Sequence, residues 1–230
     1  MNPPKHILST FDEALAMLRD DVLTMSTLAT RSLDNALNGL HQRDDELCLQ
    51  PIADDEEINQ LEKQIDKDGI DLLLRFQPVA SDLRRVVAAM KLSPNLERIA
   101  DESVALARRA RKLAQHPKLA EADLITPLGA YARQMVIDGV DAYMREDSDL
   151  GRALKERDKK LDAMNKDVAR RLLARAVEDG EQLRGYVNLV FIARHIERIG
   201  DHATNIGEDA VYAAAAEDIR HQPYVPEKAL

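Results

Sequence analysis

Apolar residues in the first part of the chain return at alternating steps of four and three. From Leu8 the run is Phe11, Leu15, Leu18, Val22, Met25 and Ala29, which predicts a helix with one buried stripe over about residues 7–43. Ser9 or Thr10, with Glu13, offers a capping box at its start. Pro51 sets the break before a second helix from near Ile52, striped by Ile58, Leu61, Ile65 and Leu72. Asp54 and Asp55 fall in or before its first turn, where they complement the positive end of the helix dipole. "FQPVASD" ends that helix at Pro78 and opens a third over about 79–115. Its stripe is Leu92, Leu96, Ile99, Ser103, Leu106, Ala110 and Leu113, and Pro94 inside it predicts a kink.

Pro117 and Pro127 bracket a linker, so the chain divides into 1–116 and 117–230. A fourth helix is expected over about 127–146 and a fifth over 148–178, with Leu154, Leu161, Met164, Val168 and Leu172 inward. The turn "EDGEQ" leads to a sixth over 182–217, with Leu189, Ile192, Ile196, Ile199, Ala203, Ile206 and Ala210 inward. The tail "HQPYVPEKAL" reads as frayed. The second pair of helices echoes the first: Asp44, Asp55 and Asn59 recur as Asp147, Asp158 and Asp162, while Glu97 and Asp101 recur as Glu197 and Asp201. The fold class is all-α, as two tandem antiparallel three-helix bundles related by internal duplication and joined end to end.

Composition narrows the function. A 45% hydrophobic content excludes disorder, and a formal net charge of -9 makes nucleic acid and anionic lipid poor general partners. The basic run Arg108, Arg109, Arg111 and Lys112 reads as a solvated helix face. The single Cys48 excludes an intrachain disulfide and fits a reducing compartment. Uncharged runs such as Gly185–Ala193 are far short of the ~20 apolar residues of a membrane helix. The N-terminus has no apolar signal core, so a cytoplasmic protein without membrane insertion is expected.

The chemistry lies in the repeated spacing E-R-I-x-D. Glu97 and Asp101 share one helix face at the flank of the buried stripe, and so do Glu197 and Asp201. Folding each hairpin about its turn makes Asp55 level with Asp101 and Asn59 level with Glu97. In the second half Asp158 falls level with Asp201 and Asp162 with Glu197. Four oxygen side chains at one level require a cation, arginine partners or open water, and a hard metal ion takes such ligands. The alternative is that Arg98, Arg198 or neighbouring arginines pair with them in a surface network. His202 and Asn205 continue the second face as further candidate ligands, and His195 is a weaker one.

"DDEEINQLEKQI", "FQPVASDLRRVVAAMK", "LERIADESV" and "IERIGDHATNIGED" resemble the PhoU family, accessory proteins of bacterial phosphate-specific transport, over nearly the whole chain. The resemblance implies two three-helix bundles in a cytoplasmic protein, often a homo-oligomer such as a dimer. It implies a negative regulator that couples the ATPase subunit of the phosphate transporter to a membrane sensor histidine kinase. It further implies surface metal clusters on Asp158, Asp162, Glu197 and Asp201 and on Asp55, Asn59, Glu97 and Asp101. Iron, zinc, manganese and magnesium all suit such oxygen-rich sets. The first half departs from the family motif: Ala100, Asp101 and Glu102 replace Gly200, Asp201 and His202, and Ala105 replaces Asn205. Its site therefore lacks a histidine and one carboxylate, and the second site is expected to bind more tightly.

No nucleophile with an adjacent base and no Gly-rich phosphate loop is present, so a non-catalytic adaptor is expected. A di-metal oxidase in a helical bundle uses Glu-x-x-His pairs, and none occurs here. A phosphorelay through His202 places the acceptor beside the repelling Asp201. A metal-free helical scaffold is the remaining alternative.

Overall fold

The computed structural model describes residues 5–220, with side chains from residue 10 onward. Among these residues are six α-helices and no strand: α1 Lys5–Gln42, α2 Asp45–Phe76, α3 Ala80–Ala114, α4 Ile125–Arg145, α5 Ser148–Glu178 and α6 Leu183–Ala215. The first three pack on one another as one bundle and the last three as another. The predicted stripes are the core: from Phe11 onward, every stripe residue named above on α1, α3 and α6 is buried. Leu61 on α2 and Met164 on α5 are half-buried against that core.

Caps locate the breaks. Asp44 and Asp147, the repeat counterparts that begin α2 and α5, each accept two backbone N–H groups: Glu46 and Leu47 at 2.9 and 3.2 Å, and Asp149 and Leu150 at 3.1 and 3.0 Å. The first of these corrects the expected start near Ile52. Chain reversal is made by Arg43 at φ 58 and the Asp44 cap, and Pro51 lies buried inside α2. α1 already starts at Lys5, so Thr10 lies within it and does not cap it, and Ser9 falls outside the described side chains. The frayed-tail segment, 221–230, lies outside the described residues.

The two bundles lie side by side, which corrects the end-to-end arrangement. α3 and α6 run antiparallel against each other: Arg84 donates to the Ala213 carbonyl at 3.4 Å, Lys91 to Asp209 at 3.3 Å, and Arg109 to Asn188 at 3.4 Å. Both helices bury more than one stripe. α3 adds Ala88, Ala89, Ala100 and Ala107, and α6 adds Ala193, Gly200, Gly207 and Val211. A three-helix bundle buries one face of each helix, so this surplus of small buried residues requires a further neighbour. The segment between the halves is packed too. Leu119 is buried, Ala120–Leu124 form a 3-10 turn, and Glu121 binds Arg175 at 2.7 Å.

Candidate functional site

α5 and α6 bring Asp158 and Asp162 alongside Glu197 and Asp201, as the hairpin register predicts. Burial raises the Asp158 carboxyl to about 6, helped by the charges of Asp201 and Asp162. Asp201 remains exposed, yet the protein around it strips enough hydration to raise its carboxyl to about 6, with Glu197 and Asp162 adding to it. Glu197 is only 8% exposed and is raised by burial, with Asp162 and Asp158 pushing the same way. Among the described residues, Arg194 pairs with the Oε1 of Glu197 and Lys166 approaches Asp162 at 3.9 Å. Two buried carboxylate oxygens, Asp158 Oδ1 and Glu197 Oε2, have no hydrogen-bond partner. An ionised carboxylate buried without a donor is costly.

The close approach of α5 and α6 depends on glycine. A Cβ on Gly200 would stand 2.1 Å from Leu161 Cδ2, and one on Gly151 would stand 2.7 Å from the Gly207 carbonyl oxygen. Gly200, next to Asp201, packs on the end of the Leu161 side chain, which can turn aside, whereas Gly151 packs on backbone, which cannot.

The first half is built from the same elements and neutralised differently. Asp55 is raised by burial and then by Asp101, and it bonds to Asn59. Burial pushes Glu97 to about 7, with Asp101 and Glu62 adding to it. Glu62 was not legible as a member of this group. It lies one turn from Asn59, and its repeat counterpart is Asn165, so the two halves carry their acid and amide in exchanged places. Arg98 closes the set: its Nε lies 3.2 Å from Glu97 and its Nη1 3.0 Å from Asp101. The surface-network alternative thus describes the first half. In the second half Arg198 turns away, to Glu102 on α3 at 2.9 Å.

His202 and Asn205 point elsewhere. His202 Nδ1 lies 3.1 Å from Asn95 Oδ1, and the Asn205 amide donates to the same oxygen at 3.2 Å. Both belong to the seam between α3 and α6. Burial lowers the His202 imidazole below its usual value. His195 is also a seam residue, with Nδ1 2.6 Å from Glu102 Oε2. In the basic run, Arg109 stacks 4.0 Å over Phe191 and Arg111 pairs with Asp45, so only part of that face is free. Burial raises the Cys48 thiol to about 11, which keeps it unreactive.

Among the described residues, no group of three or more His, Cys, Asp or Glu side chains is placed so as to hold a metal ion. The fit of the second-half carboxylates to a cation rests on the two partnerless oxygens and the all-oxygen donor set. The first half shows no such oxygen, because Arg98 is already in place.

A family model described as the PhoU domain matches this chain twice, at residues 22–110 and 125–210. The chain is 35% identical over 217 residues to a Pseudomonas aeruginosa PAO1 protein named phosphate-specific transport system accessory protein PhoU homolog, covering 94% of this chain and 90% of that one. It is 33% identical over 223 residues to the Escherichia coli K12 phosphate-specific transport system accessory protein PhoU, covering 96% and 92%. The crystal structure of PhoU from Pseudomonas aeruginosa matches with a TM-score of 0.86 at 34% identity, over 90% of this chain and 100% of that one. The phosphate transport system regulatory protein PhoU from Streptococcus pneumoniae matches at 0.83 and 25% identity, over 90% and 98%.

Proposed function

The chain belongs to the PhoU family, and on that premise we propose that it is an accessory, regulatory protein of phosphate transport that works by docking and by binding a metal ion. The supporting likeness runs through both halves and most of the length of its relatives. No described helix is long and apolar enough to cross a membrane, which fits a protein held at the cytoplasmic face by its partners. Those partners are the ATPase subunit of the phosphate transporter and a sensor histidine kinase, with phosphate starvation signalling restrained when phosphate is plentiful. A homodimer is the proposed assembly.

The observation that carries the metal reading is the pair of buried, partnerless oxygens on Asp158 and Glu197. Asp158, Asp162, Glu197 and Asp201 would hold a divalent or trivalent cation, which supplies charge neutralisation and no catalysis. With their charge offset, the four side chains tie α5 to α6 along one surface and set the shape of the face a partner meets. Metal analysis of purified protein, with a chelator control, tests this. Glu197→Gln should abolish bound metal and Glu97→Gln should leave most of it. Equal loss in both variants, or none bound before mutation, overturns the metal reading. The docking reading is tested separately, by recovering the ATPase subunit and the kinase with the tagged protein under high and low phosphate. Recovery of neither overturns it.

A further inference from the structure

Arg98 and Arg198 are repeat counterparts, 100 residues apart, on the same face of α3 and α6. They keep different company. Arg98 lies on Glu97 and Asp101 of its own helix, and Arg198 reaches across the seam to Glu102. Arg198 stays near enough to lower Glu197 and Asp201 by its charge, yet it bonds to neither.

Two pairs of positions differ: Arg194, paired with Oε1 of Glu197, stands where the first half has Pro94, and a seam pair decides where Arg198 goes. The residue facing Arg198 across the seam is Glu102, and its counterpart, near Arg98, is His202. Glu102 is 6% exposed and firmly held. Its Oε2 accepts from His195 Nδ1 at 2.6 Å, because His195 Nε2 is already accepting from Arg109 Nε at 3.1 Å. That leaves Oε1 for Arg198 at 2.9 Å. In the other half the corresponding seam contact is His202 with Asn95, two uncharged groups at 3.1 Å. It offers Arg98 no anion, so Arg98 falls back on Glu97 and Asp101. A guanidinium bonded to two carboxylates occupies the place and charge a cation needs.

We propose that Glu102 is a positioning residue that assigns cation binding to the second half, by holding Arg198 across the seam and off Glu197 and Asp201. The assignment rests on the cation reading above. It makes the first bundle set the affinity of a site built entirely from residues of the second.

Mn2+ titration of the full chain, followed by the free-ion electron paramagnetic resonance signal, tests it. Glu102→Gln should weaken binding about 10- to 100-fold, the usual loss when an outer partner of a metal site is removed. Glu102→Gln with Arg198→Gln should restore the original affinity, which a merely misfolded E102Q protein would not. His202→Glu should add a second Mn2+ equivalent, removed again by Glu97→Gln. Unchanged affinity in E102Q, or a double variant as weak as the single one, overturns the assignment. Absence of Mn2+ binding by both the unmutated protein and R198Q overturns the cation reading, and this assignment with it.

Discussion

On the proposed function, protons and metal ions would compete for the same oxygens at the second acidic face. Asp158 and Asp201 are pushed up to about 6 and Glu97 to about 7, in each case by lost hydration first and by neighbouring carboxylates second. An acid whose folded value lies above its unfolded one favours the fold while protonated. The stabilisation is fully present below the ordinary carboxylate range near ~4 and is lost as pH rises through about 7. Asp158→Asn cannot ionise. In chelator-treated protein it should therefore raise the melting temperature more at pH 8 than at pH 5, by about 2–4 °C per kcal/mol relieved. If Asp158 is a ligand as proposed, the order should reverse with Mn2+ present, because the variant then lacks one of the four oxygen donors. Thermal denaturation at the two pH values, with and without Mn2+, reads both effects. At this scale the spacing shows which acids share a level, because it depends only on helical rise and turn position. It does not show Glu62, whose reach depends on a side-chain rotamer. It does not show the turning of His202 and Asn205 to Asn95 either, because that requires a neighbour from the other bundle.

Helices are where the chain is most readable. Stripes at steps of three and four mark the buried faces of α1, α2, α3, α5 and α6, and the halves align through Asp44 and Asp147, which prove to be equivalent caps. Pro51 misleads because a proline reads as a stop, while the turn is made earlier by Arg43 and Asp44. Glycines decide how closely α5 and α6 approach. A Cβ on Gly151 would meet the Gly207 backbone, which cannot rotate aside as a side-chain end can. Gly151→Ala should therefore cost about 1–3 kcal/mol, the range for overpacking a close contact, despite the better helix propensity of alanine. Gly180 has nothing within 4 Å of its Cβ position, so Gly180→Ala is the control and should be nearly neutral. Urea denaturation of both variants makes the comparison.

The molecule as a whole is organised by the seam between α3 and α6, which repeats its contacts under the same 100-residue exchange. Glu102 with His195 becomes His202 with Asn95, and Lys91 with Asp209 becomes Phe191 with Arg109. Duplication therefore preserved the positions of contact and changed their chemistry, from a hydrogen bond onto a carboxylate to one onto a neutral amide and from salt bridge to cation–π stacking. Side-by-side docking was hidden in the sequence because the second buried face of α3 and α6 consists of small residues with a weak periodic signal. Lys91 and Asp209 give the seam a direct test. Asp209 is raised by burial and drawn back by Lys91 at 3.3 Å. Lys91→Met keeps the apolar stem and removes the charge, so Asp209 must ionise alone or take up a proton. The loss should be about 1–3 kcal/mol, and larger at pH 8 than at pH 5, because at the lower pH the folded state escapes by protonating Asp209. Lys91→Met with Asp209→Leu should recover most of it, since a well-packed apolar pair replaces a buried ion pair at little cost. If the two bundles unfold as one unit through this seam, a single urea transition should move in each variant. Two separated transitions, only one of them shifted, would mean that the bundles are coupled more weakly than their shared side chains require.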